Sequence, residues 1–249
     1  MVIETALIPV AGEGKRMKPY SNTTSKELLD VAGKPVINYI IDEAIRSGAK
    51  NLIFVISEKK YELNQHLSSI RYDDVEINFV IQKKDMQGFG GAILSAEHLI
   101  DSPFMLLTGD SIFLDKGMTM LSIMSKKYEW CKRCIVGLSK KTKEEAYKYG
   151  VVRGKMYTKQ MLEIVEMIEK PREITDSEAI IMNGRYILDQ RFFENIPEPK
   201  EKNNEIQITD ILQNMTVCGM LSDDIWLDTG YIEGWKYAQK TISGLNEMV

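Results

Sequence analysis

An α/β fold, with a mainly parallel sheet flanked by helices, is predicted for this 249-residue chain by three observations. Apolar runs of strand length alternate with helical patterns at βαβ spacing through the first half. Two of those runs empty into small or acidic loops, Gly12-Glu-Gly14 and Gly109-Asp110, as strands do at the ligand edge of such a sheet. The second half then turns into strand-like runs with few helices among them.

Taken in order, Thr5–Val10 is a short apolar run ending at glycine, the pattern of a buried parallel strand. Apolar residues at 36, 37, 40, 41, 44 and 45 have helical spacing, and Ser47-Gly48 ends that helix. Asn51–Ile56 reads as the next strand, Lys59–Ile70 as a helix and Val75–Ile81 as a third strand. Gly88-Phe-Gly-Gly precedes a helix expected over Ala92–Ile100, and Phe104–Thr108 runs into Gly109-Asp110. The loops after Val10, Ile81 and Thr108 should therefore meet at one edge. Beyond them, Cys134–Leu138, Val151–Arg153, Met161–Ile168 and Ala179–Leu188 are strand-like, extending the sheet as a second wall over the cleft. A helix is expected over Ile206–Met215, a short strand over Ile225–Asp228 and a closing helix over Tyr231–Ile242. The polar, proline-broken stretch Pro197–Asn204 is the best loop candidate.

Composition narrows the function. The 44% hydrophobic and 27% charged fractions are those of a soluble globular protein. A net charge of −4 and a pI near 5.5 argue against nucleic acid and anionic membranes as partners. Cys131, Cys134 and Cys218 are too few for a disulfide framework. Cys131-Lys-Arg-Cys134 has no second ligand pair at zinc spacing, so reduced thiols near a strand start are expected. Val2–Val10 is too short, and too interrupted by Glu4, to read as a signal peptide. No apolar run approaches the about 20 residues of a membrane span. A cytoplasmic location follows as an expectation.

Against the acidic background, Lys15, Arg16, Lys18 and Lys26 gather with only Glu13 opposing them. Backbone N–H groups freed by Gly12 and Gly14 can close around an oxyanion that these cations neutralise. Two familiar phosphate loops are excluded. A P-loop needs Ser or Thr after Gly-Lys, but Arg16 stands there, with Pro9 at the leading glycine position. A dinucleotide fingerprint needs a third glycine where Met17 stands.

The stretch from Ala11-Gly-Glu-Gly-Lys-Arg-Met-Lys-Pro to Ser25-Lys-Glu-Leu-Leu-Asp-Val-Ala-Gly-Lys-Pro-Val-Ile resembles the signature of sugar-1-phosphate nucleotidylyltransferases. It departs at Lys15 (usually Thr or Ser), Ser25 and Asp30 (both usually Pro), while Arg16 and Lys26 are kept. Similar pieces follow in order: Ile81-Gln82 with Gly88-Phe-Gly-Gly, Thr108-Gly-Asp110, Tyr149-Gly150-Val-Val, Glu169-Lys170-Pro171, Asn183-Gly184-Arg-Tyr, Glu205-Ile-Gln-Ile-Thr-Asp210 and Trp226-Leu-Asp-Thr-Gly230. The resemblance implies a Rossmann-like, mainly parallel mixed sheet of the nucleotide-diphospho-sugar transferase type. It implies a single domain over 1–249, with a nucleotide-binding half (1–130) and a β-rich sugar-binding half (131–249). The Gly-Arg-Tyr and Glu-Ile-Gln-x-Thr-Asp pieces are most similar to UTP–glucose-1-phosphate uridylyltransferases, whereas Trp-Leu-Asp-Thr-Gly is more like the glucose-1-phosphate thymidylyltransferases.

The implied partners are an NTP, with UTP favoured over dTTP, and a sugar 1-phosphate; the implied cofactor is Mg²⁺. In the implied reaction a sugar-phosphate oxygen attacks the α-phosphorus and pyrophosphate leaves. Two anions must approach each other, so the site's work is neutralisation and in-line positioning. The attacking phosphate is already ionised and needs no general base, consistent with His66 and His98 lying outside every motif. Arg16 and Lys26 are assigned to the triphosphate, together with the backbone of Ala11, Gly12 and Gly14. Lys15 either joins them or points to solvent. Asp110 and Asp228, each near the end of an apolar run, are the expected metal ligands, while Asp223 and Asp224 read as loop charge. Gln82, with backbone near Gly88, is assigned to the base. Lys170 is assigned to the sugar phosphate and Glu169 to sugar hydroxyls. Glu205 either binds a sugar hydroxyl or caps the helix after it, and Gly150 and Gly184 either admit the sugar or are turn glycines. A non-catalytic sensor of nucleotide or sugar phosphate is the rival from another class; the presence of Arg16, Lys26, Asp110 and Asp228 counts against it. Self-association is common in the family resembled, and a chain ending soon after Ile242 is expected to lack the long C-terminal extension of larger relatives.

Overall fold

The computed structural model describes residues 3–22, 24–197 and 205–247. Positions 198–204, most of the predicted loop, lie outside the described residues. In chain order the elements are β1 (Thr5–Pro9), β2 (Asp30–Val31), β3 (Lys34–Pro35), α1 (Val36–Arg46), β4 (Asn51–Ile56), α2 (Tyr61–Ser69), β5 (Glu76–Ile81) and α3 (Gly88–Ser95). There follow β6 (Phe104–Leu107), β7 (Ser111–Leu114), α4 (Met120–Cys131), β8 (Ile135–Thr142), α5 (Lys143–Ala146), β9 (Gly150–Met156) and β10 (Met161–Glu169). The last are β11 (Glu178–Leu188), α6 (Arg191–Glu194), α7 (Ile208–Leu212), β12 (Cys218–Leu221), β13 (Ile225–Asp228) and α8 (Ile232–Asn246).

Nine strands form one sheet in the order β5-β4-β1-β6-β11-β8-β12-β10-β9. The first four run parallel, as predicted. β11 joins β6 antiparallel, with Leu107 opposite Arg185, so strands from both halves of the chain share the sheet. β9 pairs with β10 and also reaches β11 through Ile180–Val152 and Ile181–Val151, which curls the later strands over one end of the sheet. The period-2 alternation of buried strands is carried through to the packing. On β1, Ala6 and Ile8 face a core shared with α1, α2, α4 and α8, whereas Leu7 faces α3, α6 and α7. On β4, Leu52 and Phe54 likewise take the first face and Ile53 and Val55 the second.

Several elements differ from the sequence reading. The helix expected over Ala92–Ile100 starts earlier, at Gly88, and gives way to a short turn over Glu97–Leu99. Its glycines are part of the helix because side chains would not fit: a Cβ on Gly90 would lie 2.8 Å from the Ile206 carbonyl oxygen, and one on Gly91 2.5 Å from Met86 backbone. The strand β12 and the helix α4 were not anticipated. Thr119 caps α4 by accepting from the Ser122 N–H at 3.1 Å, and Met120, Leu121, Met124 and Tyr128 give it a buried face. The helix predicted over Ile206–Met215 is shorter, Ile208–Leu212.

Candidate active site

A cleft of about 1380 Å³ opens along the carboxyl ends of the parallel strands and beneath the curled later strands. The loops after Val10, Ile81 and Thr108 meet in it, as predicted. Fifteen residues singled out from the sequence all line it: Ala11, Gly12, Gly14, Lys15, Arg16, Lys26, Gln82, Gly88, Asp110, Gly150, Glu169, Lys170, Gly184, Glu205 and Asp228.

The glycine loop leaves β1 with the Val10 N–H bonded to the Val55 carbonyl at 2.8 Å. Gly14 takes φ 67°, a left-handed conformation suited to glycine, and its carbonyl accepts from Met17 N–H at 2.9 Å and Ser21 Oγ at 3.1 Å. Met17 is fully buried and anchors the turn, leaving Lys15 and Arg16 exposed. Lys15 pairs with Glu13 at 3.1 Å at the rim, which makes it a solvent-side residue in this conformation. The Lys26 stem runs beside Gly14 and its ammonium meets Asp110 Oδ2.

The two carboxylates are brought together by a separate ribbon, β7 paired antiparallel with β13, in which Asp228 lies opposite Ser111. Thr229 locks the turn by donating from both N–H and Oγ1 to the Asp110 carbonyl, each at 2.8 Å. Asp228 accepts from Tyr149 Oη and from the Gly230 N–H, both at 2.8 Å. Gly230 sits between the acids: a Cβ there would lie 2.7 Å from Asp110 Oδ2 and 3.0 Å from Asp228 Oδ1. Electrostatics splits the pair. Burial pushes the Asp110 carboxyl up, but Lys26, with Arg16 and Lys60, holds it below the usual carboxylate range. Burial and then the Asp110 charge raise Asp228 above its ordinary value, outweighing Gly230 and Tyr149. Asp110 is thus paired with an ammonium, whereas among the described residues Asp228 forms no ion pair and feels Arg16 only at longer range. This hard-oxygen donor set fits Mg²⁺. Among the described residues there is no cluster of three or more His, Cys, Asp or Glu suited to a metal, so remaining ligands would come from substrate and water.

In the loop after β5, Gln82 donates its amide to the carbonyls of Met86 at 2.8 Å and Gly88 at 3.3 Å. Its donor therefore shapes the loop, leaving the backbone around Gly88 to face the cleft. Gly88 has φ 82°, and a Cβ on it would lie 2.6 Å from the Ile206 carbonyl oxygen. On the opposite wall, Lys170 has φ 45°, bonds the Tyr149 carbonyl through its N–H at 3.1 Å, and pairs with Glu169 at 3.0 Å. Tyr149 thus ties the Asp228 carboxylate to the Lys170 backbone. Glu205 does not cap α7: Gln207 stands at the cap, and its N–H donates to Asp210 Oδ2 at 3.1 Å. Gly184, with φ 85°, leaves room for Thr108, whose Oγ1 would be 2.3 Å from a Cβ. Gly150 leaves room for Met182, 2.6 Å from its would-be Cβ. Neither histidine lines the cleft; His66 Nε2 meets Asn38 Oδ1 at 2.8 Å.

The family model described as nucleotidyl transferase matches residues 5–243. The chain belongs to the nucleotidyl transferase family. A UTP–glucose-1-phosphate uridylyltransferase of Staphylococcus haemolyticus is 29% identical over 235 residues, covering 86% of this chain and 81% of that protein. A crystal structure of UDP-glucose pyrophosphorylase complexed with UDP-glucose is 31% identical, with TM-score 0.86 and coverage of 97% of this chain and 99% of that one. A UTP-bound UGPase of Acinetobacter baumannii, at 24% identity, shares the fold with TM-score 0.82, covering 96% and 93% of the two chains. Seen as a nucleotidyltransferase cleft, the site contains residues the sequence reading left without roles. Tyr149 and Gly230 lay inside quoted motifs, and Glu27 adjoins Lys26. Lys60 lay within the helix expected over Lys59–Ile70 and stood in no motif. Among the described residues no helix is long and apolar enough to cross a membrane.

Proposed function

We propose that this nucleotidyltransferase makes UDP-glucose and pyrophosphate from UTP and glucose 1-phosphate. The observation that carries the reading is the facing pair Asp110 and Asp228, set between the cations Arg16 and Lys26 on one wall and Lys170 on the other. Such an arrangement suits two anionic substrates held in line. The names of the uridylyltransferase and pyrophosphorylase relatives support uridine and glucose as the specificities.

In this reading Arg16 grips phosphate oxygens bidentately and Lys26 offers a compact charge where pyrophosphate departs. The backbone of Ala11, Gly12 and Gly14 lies along the triphosphate, and that around Gly88 against the base. Lys170 neutralises the sugar phosphate and Glu169 accepts from sugar hydroxyls, with Gly150, Gly184 and Glu205 completing that wall. A phosphate oxygen of glucose 1-phosphate forms a bond to the α-phosphorus as the α–β bridging bond breaks, and no proton moves. Asp110 and Asp228 would hold Mg²⁺, which supplies charge neutralisation and orientation of phosphate oxygens when bound.

The test is pyrophosphate release from a panel of NTPs and sugar 1-phosphates. Turnover is expected to be fastest with UTP and glucose 1-phosphate, and to be abolished in Asp110→Ala. Absence of turnover with every sugar 1-phosphate overturns the reading, and preference for dTTP replaces the uridylyl assignment by the thymidylyl one.

A further inference from the structure

Beside Lys26 in the cleft wall lies a second, largely buried lysine with no role in the proposed transfer. Lys60 stands just before α2, and its side chain is only 10% exposed. Its ammonium donates to the Val10 carbonyl at 2.7 Å and to both carboxylate oxygens of Glu27, at 3.0 and 2.8 Å. Those three acceptors use the three protons of the ammonium. Glu27 is 1% exposed and lies under the Gly109 turn, its Cγ 3.6 Å from where a Gly109 Cβ would be. Its Oε1 is also 3.9 Å from the Lys26 ammonium. The order in space is therefore Lys60, Glu27, Lys26, Asp110, with charges of alternating sign.

We propose that Lys60 is a positioning residue, which holds the Glu27 carboxylate so that Lys26 stays aimed at Asp110 and the triphosphate. Two observations separate this from direct phosphate binding. Lys60 has its donors satisfied by protein, whereas Lys26, bonded at hydrogen-bond range to Asp110 alone among the described residues, has donors to spare there. Lys60 also bonds Val10, the residue just after β1, whose N–H is tied to Val55 of β4; this fixes the Lys60 ammonium to the sheet edge rather than to the exposed loop. Burial pulls that ammonium below the ordinary lysine value and Glu27 opposes the fall. Without Lys60, Glu27 is a buried carboxylate whose nearest cation is Lys26, and it draws that ammonium away from the phosphates.

The inference rests on the proposed transfer reaction, so wild-type turnover is measured alongside, using whichever nucleotide and sugar phosphate it prefers. An inactive wild type defeats that reading and this one together; an active wild type isolates the present claim. Lys60→Met should lower kcat by roughly 10- to 100-fold, the scale of a displaced charge-assisted hydrogen bond, with a smaller change in the nucleotide KM. Lys60→Arg, which keeps the charge, should largely restore it. The deciding comparison needs no unpaired buried carboxylate: Lys60→Met in a Glu27→Gln background should leave kcat within about threefold of Glu27→Gln alone, because a neutral residue 27 no longer needs its counterion. A double variant tenfold or more below Glu27→Gln overturns the proposal. So does a folded Lys60→Met with wild-type kcat, or one with only the nucleotide KM raised.

Discussion

Gly230 separates the two acids by the width of a missing side chain. Its would-be Cβ lies 2.7 Å from Asp110 Oδ2 and 3.0 Å from Asp228 Oδ1, so alanine there must push the carboxylates apart or rotate them. Gly230→Ala is expected to reduce kcat by roughly 10- to 100-fold, a barrier increase of about 1.4–2.7 kcal/mol, and to lower the melting temperature through an overpacking cost of about 1–3 kcal/mol. Wild-type kinetics in a steady-state pyrophosphate assay would show that the acids do not need this spacing. A second residue far from the cleft sets a pH dependence. Asp189, 6% exposed, accepts from Tyr128 Oη at 2.9 Å and from Arg191 Nε at 2.9 Å. Burial raises its carboxyl, but Arg191 and Tyr128 bring it below the ordinary value of 3.8. A carboxylate lowered on folding stabilises the protein above its unfolded pKa, and that contribution fades as pH falls through the folded one. Asp189→Asn should therefore cost about 1–3 kcal/mol at neutral pH, with the deficit shrinking below about pH 4. Melting curves across pH 3–7 with a constant deficit would remove Asp189 from the acid transition.

At the scale of elements, α1, β7 and β11 are joined through a fully buried arginine. Arg185 binds Glu43 of α1 bidentately at 2.8 and 2.7 Å and donates to the Ser111 carbonyl at 2.5 Å and the Gly184 carbonyl at 3.1 Å. Its guanidinium lies 4.6 Å from the Phe113 ring centroid. Ser111 follows Asp110, so this ion pair also braces the strand that presents one acid. Arg185→Met strands Glu43 as a buried charge and should cost about 3–5 kcal/mol, while Arg185→Met with Glu43→Leu should recover a large part of it. Equal losses in the single and double variants, measured by denaturant unfolding, would contradict that account. The Arg185–Glu43 pairing was not legible in the sequence. Both residues were visible, one inside a quoted motif and one in an amphipathic helix, but a contact spanning 142 positions leaves no local trace. Local periodicity, by contrast, located β1, α1, β4 and β6, whose alternating faces meet two separate cores. It failed at α3, where glycines that normally mark loops are required by close backbone contact. It failed also at α4, whose cap and buried face sat in a stretch read only for its cysteines.

Across the whole molecule, one sheet carries both walls of the cleft, because β11 pairs with β6 of the parallel half and with β8 of the curled half. Much of the cleft lining was legible as motifs in sequence order, although the stretch from Ser57 to Glu62 was not. The contacts of the lining residues were less legible: Gln82 bonds within its own loop, Lys15 takes the solvent-side one of its two readings beside Glu13, and Lys60, in no motif, is buried against Glu27. The shared sheet has a thermodynamic consequence. A nucleotide bound against the parallel half and a metal bound between Asp110 and Asp228 stabilise one cooperative body, and both should appear in a single melting transition. At UTP about 100-fold above its dissociation constant the linkage gain is about 2.7 kcal/mol. For a chain of this size that corresponds to a rise of roughly 5–11 °C. Part of the gain depends on the acids, since without a cation the triphosphate approaches Asp228 as a like charge. The shift measured with UTP and Mg²⁺ should therefore exceed that with UTP and a chelator, and the excess should vanish in an Asp110→Ala, Asp228→Ala variant. Equal shifts with and without the metal would mean that the two carboxylates hold no cation when nucleotide binds, leaving Arg16 and Lys26 to neutralise the triphosphate unaided.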